Sequence, residues 1–325
     1  MNAPISHPLP LALLDRYQRH FPLCPRPYAE VAGHDGWDEG ELLAALRAAA
    51  EAGVLSRIGA VFAPNTVAAS TLAALAVPPD QLAAVAAQVS ARREVSHNYQ
   101  RSHAYNLWFV ATAADRAALD ALLAGIAADS GLPVLDVPLE REYHIDLGFA
   151  LHGEAAARTP LPPSPGLLTL SAAQRRLLAA LGPGLALTPR PYLALAQACE
   201  LSEAEVLATL AHWQAIGALR RFGLVLRHHE LGYRANVMCV WQIPPAARDA
   251  IGAQLAQDPA VTLCYARPAR PPHWPYTLFA MVHGKSRAEV DAAIDRLIAQ
   301  HALAAWPHAR LYTLHRYAQR GPHYA

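Results

Sequence analysis

The chain has 325 residues, a formal net charge of +1 and 53% hydrophobic residues, which is enough for about two domains with cores of their own. The balanced charge argues against a nucleic-acid-binding protein. No stretch predicts a membrane span, and the N-terminus lacks the pattern of a secretory signal. The four cysteines show no CxxC spacing, which predicts free thiols, no metal site of the protein's own and a cytoplasmic location.

Two pairs of segments repeat at one spacing. Pro22–Tyr28 (PLCPRPY) returns as Ala186–Tyr192 (ALTPRPY), and Leu55–Phe62 (LSRIGAVF) returns as Leu219–Leu226 (LRRFGLVL), each 164 residues later. Matches at equal spacing indicate a duplicated unit. We predict helix-turn-helix domains at 9–66 and 167–230, βαββαβ domains at 67–151 and 231–325, and a Pro-rich linker at 152–166.

Hydrophobic periodicity and capping residues predict the elements in chain order. The first copy is predicted to have helices Leu11–Arg19, Pro27–Ala32 and Asp38–Ala52, the β segment Leu55–Phe62, strand Ala69–Val77, helix Asp80–Ala91, strands Glu94–Gln100 and Asn106–Thr112, helix Asp115–Ser130 and strand Val134–Leu139. The second copy is predicted to have helices Ser171–Leu181, Pro191–Ala198 and Ser202–Ile216, the β segment Leu219–Leu226, strand Ala235–Ile243, helix Pro245–Gln257, strands Val261–Ala266 and Tyr276–Val282, helix Arg287–His301 and strand Ala309–Leu314.

These patterns predict an α+β fold. In each copy, three short helices followed by a β segment indicate a winged helix-turn-helix, and the βαββαβ order is the ferredoxin-like arrangement. Such a sheet carries helices on one face and leaves the other face for a partner. We therefore expect the two copies to pair within the chain, and a homodimer of whole chains is possible.

The third helix of each predicted helix-turn-helix argues against DNA binding. In the first copy Arg47 is outnumbered by Asp38, Glu39, Glu41 and Glu51; in the second copy Glu203 and Glu205 stand without any Arg or Lys. Phosphates repel such helices, whereas recognition helices usually carry basic and amide side chains. We therefore predict that the helix-turn-helix serves as a scaffold.

The densest polar segment of the chain is 92–108, RREVSHNYQRSHAYNLW. It spans the predicted hairpin of the first copy. His97, Tyr99 and Arg101 share one side of a strand because alternate residues point the same way. The turn and the returning strand add His103, Tyr105, Asn106 and Trp108. A solvated hairpin tip, or polar groups satisfied in the core, is the alternative interpretation.

The matching segment of the second copy is 262–284, TLCYARPARPPHWPYTLFAMVHG. Both hairpins keep a Tyr-x-Arg pair, which is Tyr265 and Arg267 here, whereas Leu263 stands in place of His97. A proline-rich insertion and the third strand bring Arg270, His273, Trp274, Tyr276 and His283. A rigid loop that serves only for packing is the alternative.

Two smaller polar groups complete the candidates. The β segments and the residues just after them carry Arg57, Arg220, Arg221 and His228, for which a surface strand is an equal alternative. His144 lies in 140–146, EREYHID, which also fits an ordinary charged terminus.

Several of these motifs together resemble a known family. The hairpins HNYQRSHAYNLWF and CYARPARPPHWPYTLFAMVHG, the motif PRPY, the segments SRIGAVF and RRFGLVLRHHELGYRAN and the late Gln319–Gly321 (QRG) are similar to those of siroheme decarboxylases. That family is similar to the Lrp/AsnC regulators, and a chain that joins both subunits resembles its fused NirDL type. The resemblance implies loss of CO2 from two acetate side chains of siroheme, giving 12,18-didecarboxysiroheme in heme d1 biosynthesis.

The resemblance also implies roles for the candidates. We expect His97 and His103 to donate protons or to contact carboxylates, Tyr99 to orient them, and Arg101, Arg267 and Arg270 to bind carboxylates. Trp108, Trp274 and Tyr276 are expected to lie against the macrocycle. His273 and His283 are further candidates for proton chemistry. The remaining substrate-binding candidates are Arg57, Asn106, His144, Arg220, Arg221, His228 and Tyr265.

The expected ligand is siroheme, bound as substrate, with no further cofactor. The substrate's own iron can accept one histidine, and the sequence does not identify which one. A regulator that senses a tetrapyrrole is the alternative function, and a pure tetrapyrrole carrier is a third.

Overall fold

A computed structural model describes residues 9–145, 164–226, 235–321 and 324. The first copy contains α1 (Leu11–Tyr17), α2 (Pro27–Asp35), α3 (Glu39–Glu51), β1 (Leu55–Phe62), β2 (Ala69–Leu75), α4 (Leu82–Ala91), β3 (Val95–Arg101), β4 (Leu107–Ala113), α5 (Arg116–Ser130), β5 (Leu135–Pro138) and β6 (Arg141–Ile145). The second contains α6 (Ala172–Leu181), α7 (Pro191–Cys199), α8 (Glu203–Ala215), β7 (Leu219–Leu226), β8 (Ala235–Trp241), α9 (Pro245–Leu255), β9 (Val261–Ala266), β10 (Leu278–Gly284), α10 (Arg287–Gln300) and β11 (His308–Gln319).

The predicted elements are all present, and most of their ends fall within two residues of the prediction. The predicted capping box of Ser202 and Glu205 begins α8, and Asp38 caps α3. The last strand is longer than predicted, and β6 was missed because a short charged segment carries little strand signal of its own. The predicted linker lies largely outside the described residues.

The two helix-turn-helix units share one hydrophobic core and one two-stranded ribbon. The ribbon pairs β1 with β7, so each predicted wing strand takes its partner from the other copy, with Gly59 opposite Gly223. A Cβ on Gly223 would lie 2.2 Å from the carbonyl oxygen of Tyr17. The second glycine of the repeated segment is therefore required by a close approach of two backbones.

The repeated PRPY motif forms reciprocal bonds between the copies. The Tyr28 hydroxyl donates to the carbonyl of Ala186, and the Tyr192 hydroxyl donates to the carbonyl of Pro22, each at 2.9 Å. The two bonds are related by the 164-residue offset, as expected for an interface between like units. Burial raises the pKa of both phenols, so both remain donors at neutral pH.

We expect Tyr28→Phe and Tyr192→Phe each to lower the free energy of unfolding by about 1 to 3 kcal/mol, because each leaves a buried carbonyl without its donor. Denaturant titration of the full chain measures this loss. Tyr312→Phe gives a comparison, since its hydroxyl bonds to Asp291 outside this interface and its loss measures the cost of one phenol hydrogen bond elsewhere in the fold. Unchanged stability in both variants would contradict the structural role of the motif.

The βαββαβ units merge into one nine-stranded sheet of order β5-β2-β4-β3-β11-β8-β10-β9-β6. The first half of β11 pairs with β8, and its second half crosses to β3 of the other copy. In the same way, β5 pairs with β2 and β6 crosses to β9. Only Leu139 and Glu140 join these two edge strands, so the sheet curls until its edges approach each other.

The curled sheet has two kinds of face. Its outer face packs against the helices of each copy in two separate cores. Its inner face encloses a third core, to which both copies contribute Trp108, Val137, Tyr265, Trp274 and Phe279 among others. The open sheet faces thus cover each other within the chain, as the sequence predicted.

Candidate functional site

The predicted site residues are distributed along the whole length of each hairpin. His97 lies near the start of β3, at what we call the outer end, and His103 lies beyond its last residue, at the tip. Strand residues advance by about 3.3 Å each, which places the two histidines about 20 Å apart along an extended chain. They cannot serve one small reaction centre together.

The two hairpin tips meet each other in an aromatic cluster. The rings of Trp108 and Trp274 lie 4.9 Å apart, and Trp274 also contacts Tyr276 at 4.9 Å and His103 at 5.4 Å. Trp274 is 0% exposed and Trp108 is 1% exposed. The two indoles are therefore core side chains in this structure, whereas the sequence placed them against the macrocycle.

Polar groups at the tips are largely engaged by the protein backbone. The Asn106 amide exchanges two hydrogen bonds with the backbone of Val77. His103 Nδ1 accepts from the Tyr105 N–H at 3.1 Å, and Arg270 Nε donates to the carbonyl of Asp136 at 2.8 Å. His273 is exposed. These contacts fix the loops and favour the packing alternative for this part of the chain.

The Tyr-x-Arg pairs join the copies to each other. Arg101 donates to the carbonyl of Leu311 at 3.1 Å, and Arg267 donates to the carbonyl of Val137 at 2.5 Å. Each acceptor belongs to the other copy, and each guanidinium also lies over the Tyr ring two residues earlier. Burial lowers the pKa of Arg101 to about 10. Both side chains lie inside the curled sheet, where they bind carbonyls in place of the expected carboxylates.

The outer end of the first copy gathers Ser96, His97, Arg57 and Tyr324. The Ser96 hydroxyl lies 2.9 Å from His97 Nδ1. Arg57 on β1 interacts electrostatically with both His97 and Tyr324. Burial first, and the positive charge of Arg57 second, lower the pKa of His97 to about 4. The imidazole is therefore neutral at neutral pH until an anion arrives beside it.

Arg57 differs from the other arginines of the ribbon. Arg220 forms a buried ion pair with Glu142 at 3.2 Å, and Arg221 donates to the carbonyl of Gln18 at 3.1 Å. Within the described residues Arg57 has no carboxylate partner, and its Nη2 makes only a 3.4 Å contact with the carbonyl of Ala60. A partly buried guanidinium with unused donors is suited to binding an anion.

The outer end of the second copy also presents a histidine, but from a different strand. Thr262 corresponds to Ser96, and its hydroxyl lies 2.8 Å from His283 Nδ1 on β10. The same hydroxyl lies 3.1 Å from the carbonyl of Met281, so its single proton can go either to that carbonyl or to His283 Nδ1. Although Leu263 stands in place of His97, His283 therefore supplies an imidazole at this end.

Two further candidates remain. His144 on β6 is buried beside β9, on the crossing strand that also carries Glu142. His228 lies outside the described residues. Sequence reasoning missed Ser96, Thr262 and Tyr324: the two hydroxyls are common strand residues, and only the nearby QRG motif marked the C-terminal segment.

Known families match almost the whole chain. Residues 67–144 and 230–318 match the AsnC-like ligand binding domain, and residues 11–55 and 174–220 match the siroheme decarboxylase NirDL-like HTH domain. The chain is 44% identical over 313 residues to the siroheme decarboxylase NirDL subunit of Paracoccus denitrificans, covering 96% of each chain. It belongs to the siroheme decarboxylase family.

Two other members of this family clarify the repeat. The siroheme decarboxylase NirD subunit of Stutzerimonas stutzeri is 55% identical over 139 residues, which are 43% of this chain and 91% of that subunit. A crystal structure of the siroheme decarboxylase NirDL with an iron-uroporphyrin III analogue aligns with a TM-score of 0.72 and 27% identity, covering 96% of this chain and 93% of that one. The two copies therefore correspond to a fusion of family subunits, and the predicted fold class is confirmed.

Proposed function

We propose that this chain is a siroheme decarboxylase of heme d1 synthesis, a carboxy-lyase that converts two acetate side chains of siroheme into methyl groups. The observation that carries the proposal is the outer end of the first copy, where Arg57 has no carboxylate partner among the described residues and interacts electrostatically with His97. Siroheme is a flat polycarboxylate, and this arrangement provides both an anion-binding group and a proton carrier. Membership of the decarboxylase family supplies the substrate class.

Arg57 binds the reacting carboxylate in this proposal. Its free guanidinium N–H groups can form charge-assisted hydrogen bonds with a carboxylate. Because Arg57 is partly buried, such a bond is screened less than one in open water. The step itself breaks the bond between the methylene and carboxylate carbons, and its electron pair passes to the methylene carbon and into the conjugated ring as CO2 leaves.

His97 delivers the proton that completes the reaction. The methylene carbanion takes one proton to become a methyl group, so each acetate consumes one H⁺ and releases one CO2. When the Ser96 hydroxyl donates to Nδ1, the proton of neutral His97 is on Nε2. A bound carboxylate raises the pKa of the imidazole from its value of about 4, because it favours the charged form. The histidine therefore gains its second proton together with the substrate.

His283 is the corresponding group for a second acetate, at the outer end of the second copy. Its Nδ1 lies 2.8 Å from the Thr262 hydroxyl, as Nδ1 of His97 lies 2.9 Å from the Ser96 hydroxyl. Siroheme brings its own iron as part of the substrate, and we propose no additional cofactor. The proposed partners are siroheme and its decarboxylated products, with no role for DNA or a membrane; no helix among the described residues is long and apolar enough to cross a bilayer.

Anaerobic incubation with siroheme, followed by mass spectrometry, tests the function. We expect the successive loss of two carboxyl masses as CO2. Binding of siroheme without any mass loss would overturn the enzyme proposal in favour of a carrier. Tight, sequence-selective DNA binding in a mobility-shift assay at low salt would instead support a regulator, against the acidic first turns of α3 and α8.

A further inference from the structure

The C-terminal segment is anchored beside the outer end of the first copy by one arginine. Arg320 Nε donates to the carbonyl of Val95, and its Nη2 donates to the carbonyls of Ser90 and Arg92. The Arg320 N–H also donates to the carbonyl of Ser96. Two of these acceptors lie at the C-terminal end of α4, where carbonyls lack helical partners and a cation is favoured.

The anchor brings the next residues to Arg57. A Cβ on Gly321 would lie 3.5 Å from Arg57 Nη1, so the backbone of the segment passes directly along the guanidinium. Tyr324 follows, with its ring 5.6 Å from that of Phe62 in an edge-on contact. Tyr324 also lines a cavity of about 190 Å³ together with Glu94, Thr112 and the α5 residues Ala118 and Leu122.

We propose that Tyr324 is a further substrate-contacting residue, whose hydroxyl donates to the same carboxylate that Arg57 binds, and that Arg320 positions it there. This inference deepens the proposed function and rests on the assignment of Arg57 to the reacting carboxylate. Burial raises the pKa of Tyr324 to about 12, so the hydroxyl keeps its proton at neutral pH and can donate. A phenol and a guanidinium together satisfy more carboxylate lone pairs than either group alone.

Binding of iron-uroporphyrin to the full chain tests this contact without requiring turnover. A hydrogen bond to a charged group is worth about 1.5 to 3 kcal/mol, so we expect Tyr324→Phe to raise the Kd about tenfold or more. The variant keeps the ring that packs on Phe62. Tyr312→Phe is the matched control on β11, since its hydroxyl bonds to Asp291 of α10, and we expect its Kd to be unchanged.

A double-mutant cycle separates positioning from general destabilisation. If Arg320 acts through Tyr324, then Arg320→Gln weakens binding to a similar extent, and adding Tyr324→Phe to it has little further effect. Independent, additive losses would overturn the positioning role, and a wild-type Kd for Tyr324→Phe would overturn the contact. A chain that binds iron-uroporphyrin through Tyr324 yet never decarboxylates siroheme would overturn the proposed function and leave only the contact of Tyr324 with the tetrapyrrole standing.

Discussion

Replacing His97 by alanine is expected to slow decarboxylation of siroheme by about 10²- to 10⁴-fold, the usual contribution of a positioned proton donor. The reason lies in the surroundings of His97 at the outer end of the first copy. Ser96 holds Nδ1 of this imidazole, and Arg57 acts on it electrostatically. Stopped-flow or single-turnover assays under anaerobic conditions measure the chemical step, and binding of iron-uroporphyrin is expected to persist because Arg57 remains.

Proton uptake gives a second readout of the same variant. The folded pKa of His97 is about 4, and a bound carboxylate raises it, so wild-type protein should take up protons on binding at pH values between about 4 and the raised pKa. His97→Ala should lose this uptake. His103→Ala is the contrast, because that imidazole lies at the hairpin tip and accepts from the Tyr105 N–H. Equal losses of rate in the two variants would contradict the placement of the reaction centre.

The sequence predicted the elements well because their signals are local. Pro27 and Pro191 begin helices at equivalent places, and Ser202 with Glu205 forms the capping box that was expected. The repeat also predicted the order of the domains along the chain. Strand crossing between the copies was beyond such reasoning, since β6 and the far half of β11 find partners in the other copy. The alternation of side chains along a strand does not specify which distant strand will pair with it.

The candidate site was predictable as a set of residue types but not as a geometry. A sequence cannot tell whether an arginine meets a carboxylate or a carbonyl, so Arg101 and Arg267 were expected to bind substrate, whereas they bind the backbone of the opposite copy. Aligning the hairpins paired His97 with Leu263. The structure shows the corresponding histidine, His283, on the adjacent strand, held by the hydroxyl that corresponds to Ser96.

Replacing Arg57 by methionine is expected to weaken binding of iron-uroporphyrin about 10- to 100-fold, the range given by the loss of one or more charge-assisted hydrogen bonds. Methionine keeps the length of the stem and its packing in the ribbon. Because Arg57 has no carboxylate partner among the described residues, its removal leaves none of their carboxylates without a partner, and we expect little change in the free energy of unfolding.

Equilibrium titration followed by the absorbance of the tetrapyrrole measures this loss, with Arg175→Met as the control for charge alone, since Arg175 is an exposed residue of α6. Arg221→Met provides the opposite comparison. That guanidinium donates to the carbonyl of Gln18, so its loss should lower stability more than affinity. If Arg57→Met and Arg175→Met bound equally well, the substrate carboxylate would have to be held elsewhere. A loss of affinity in Arg57→Met alone would place the binding site for the substrate's carboxylate at the ribbon of β1 and β7.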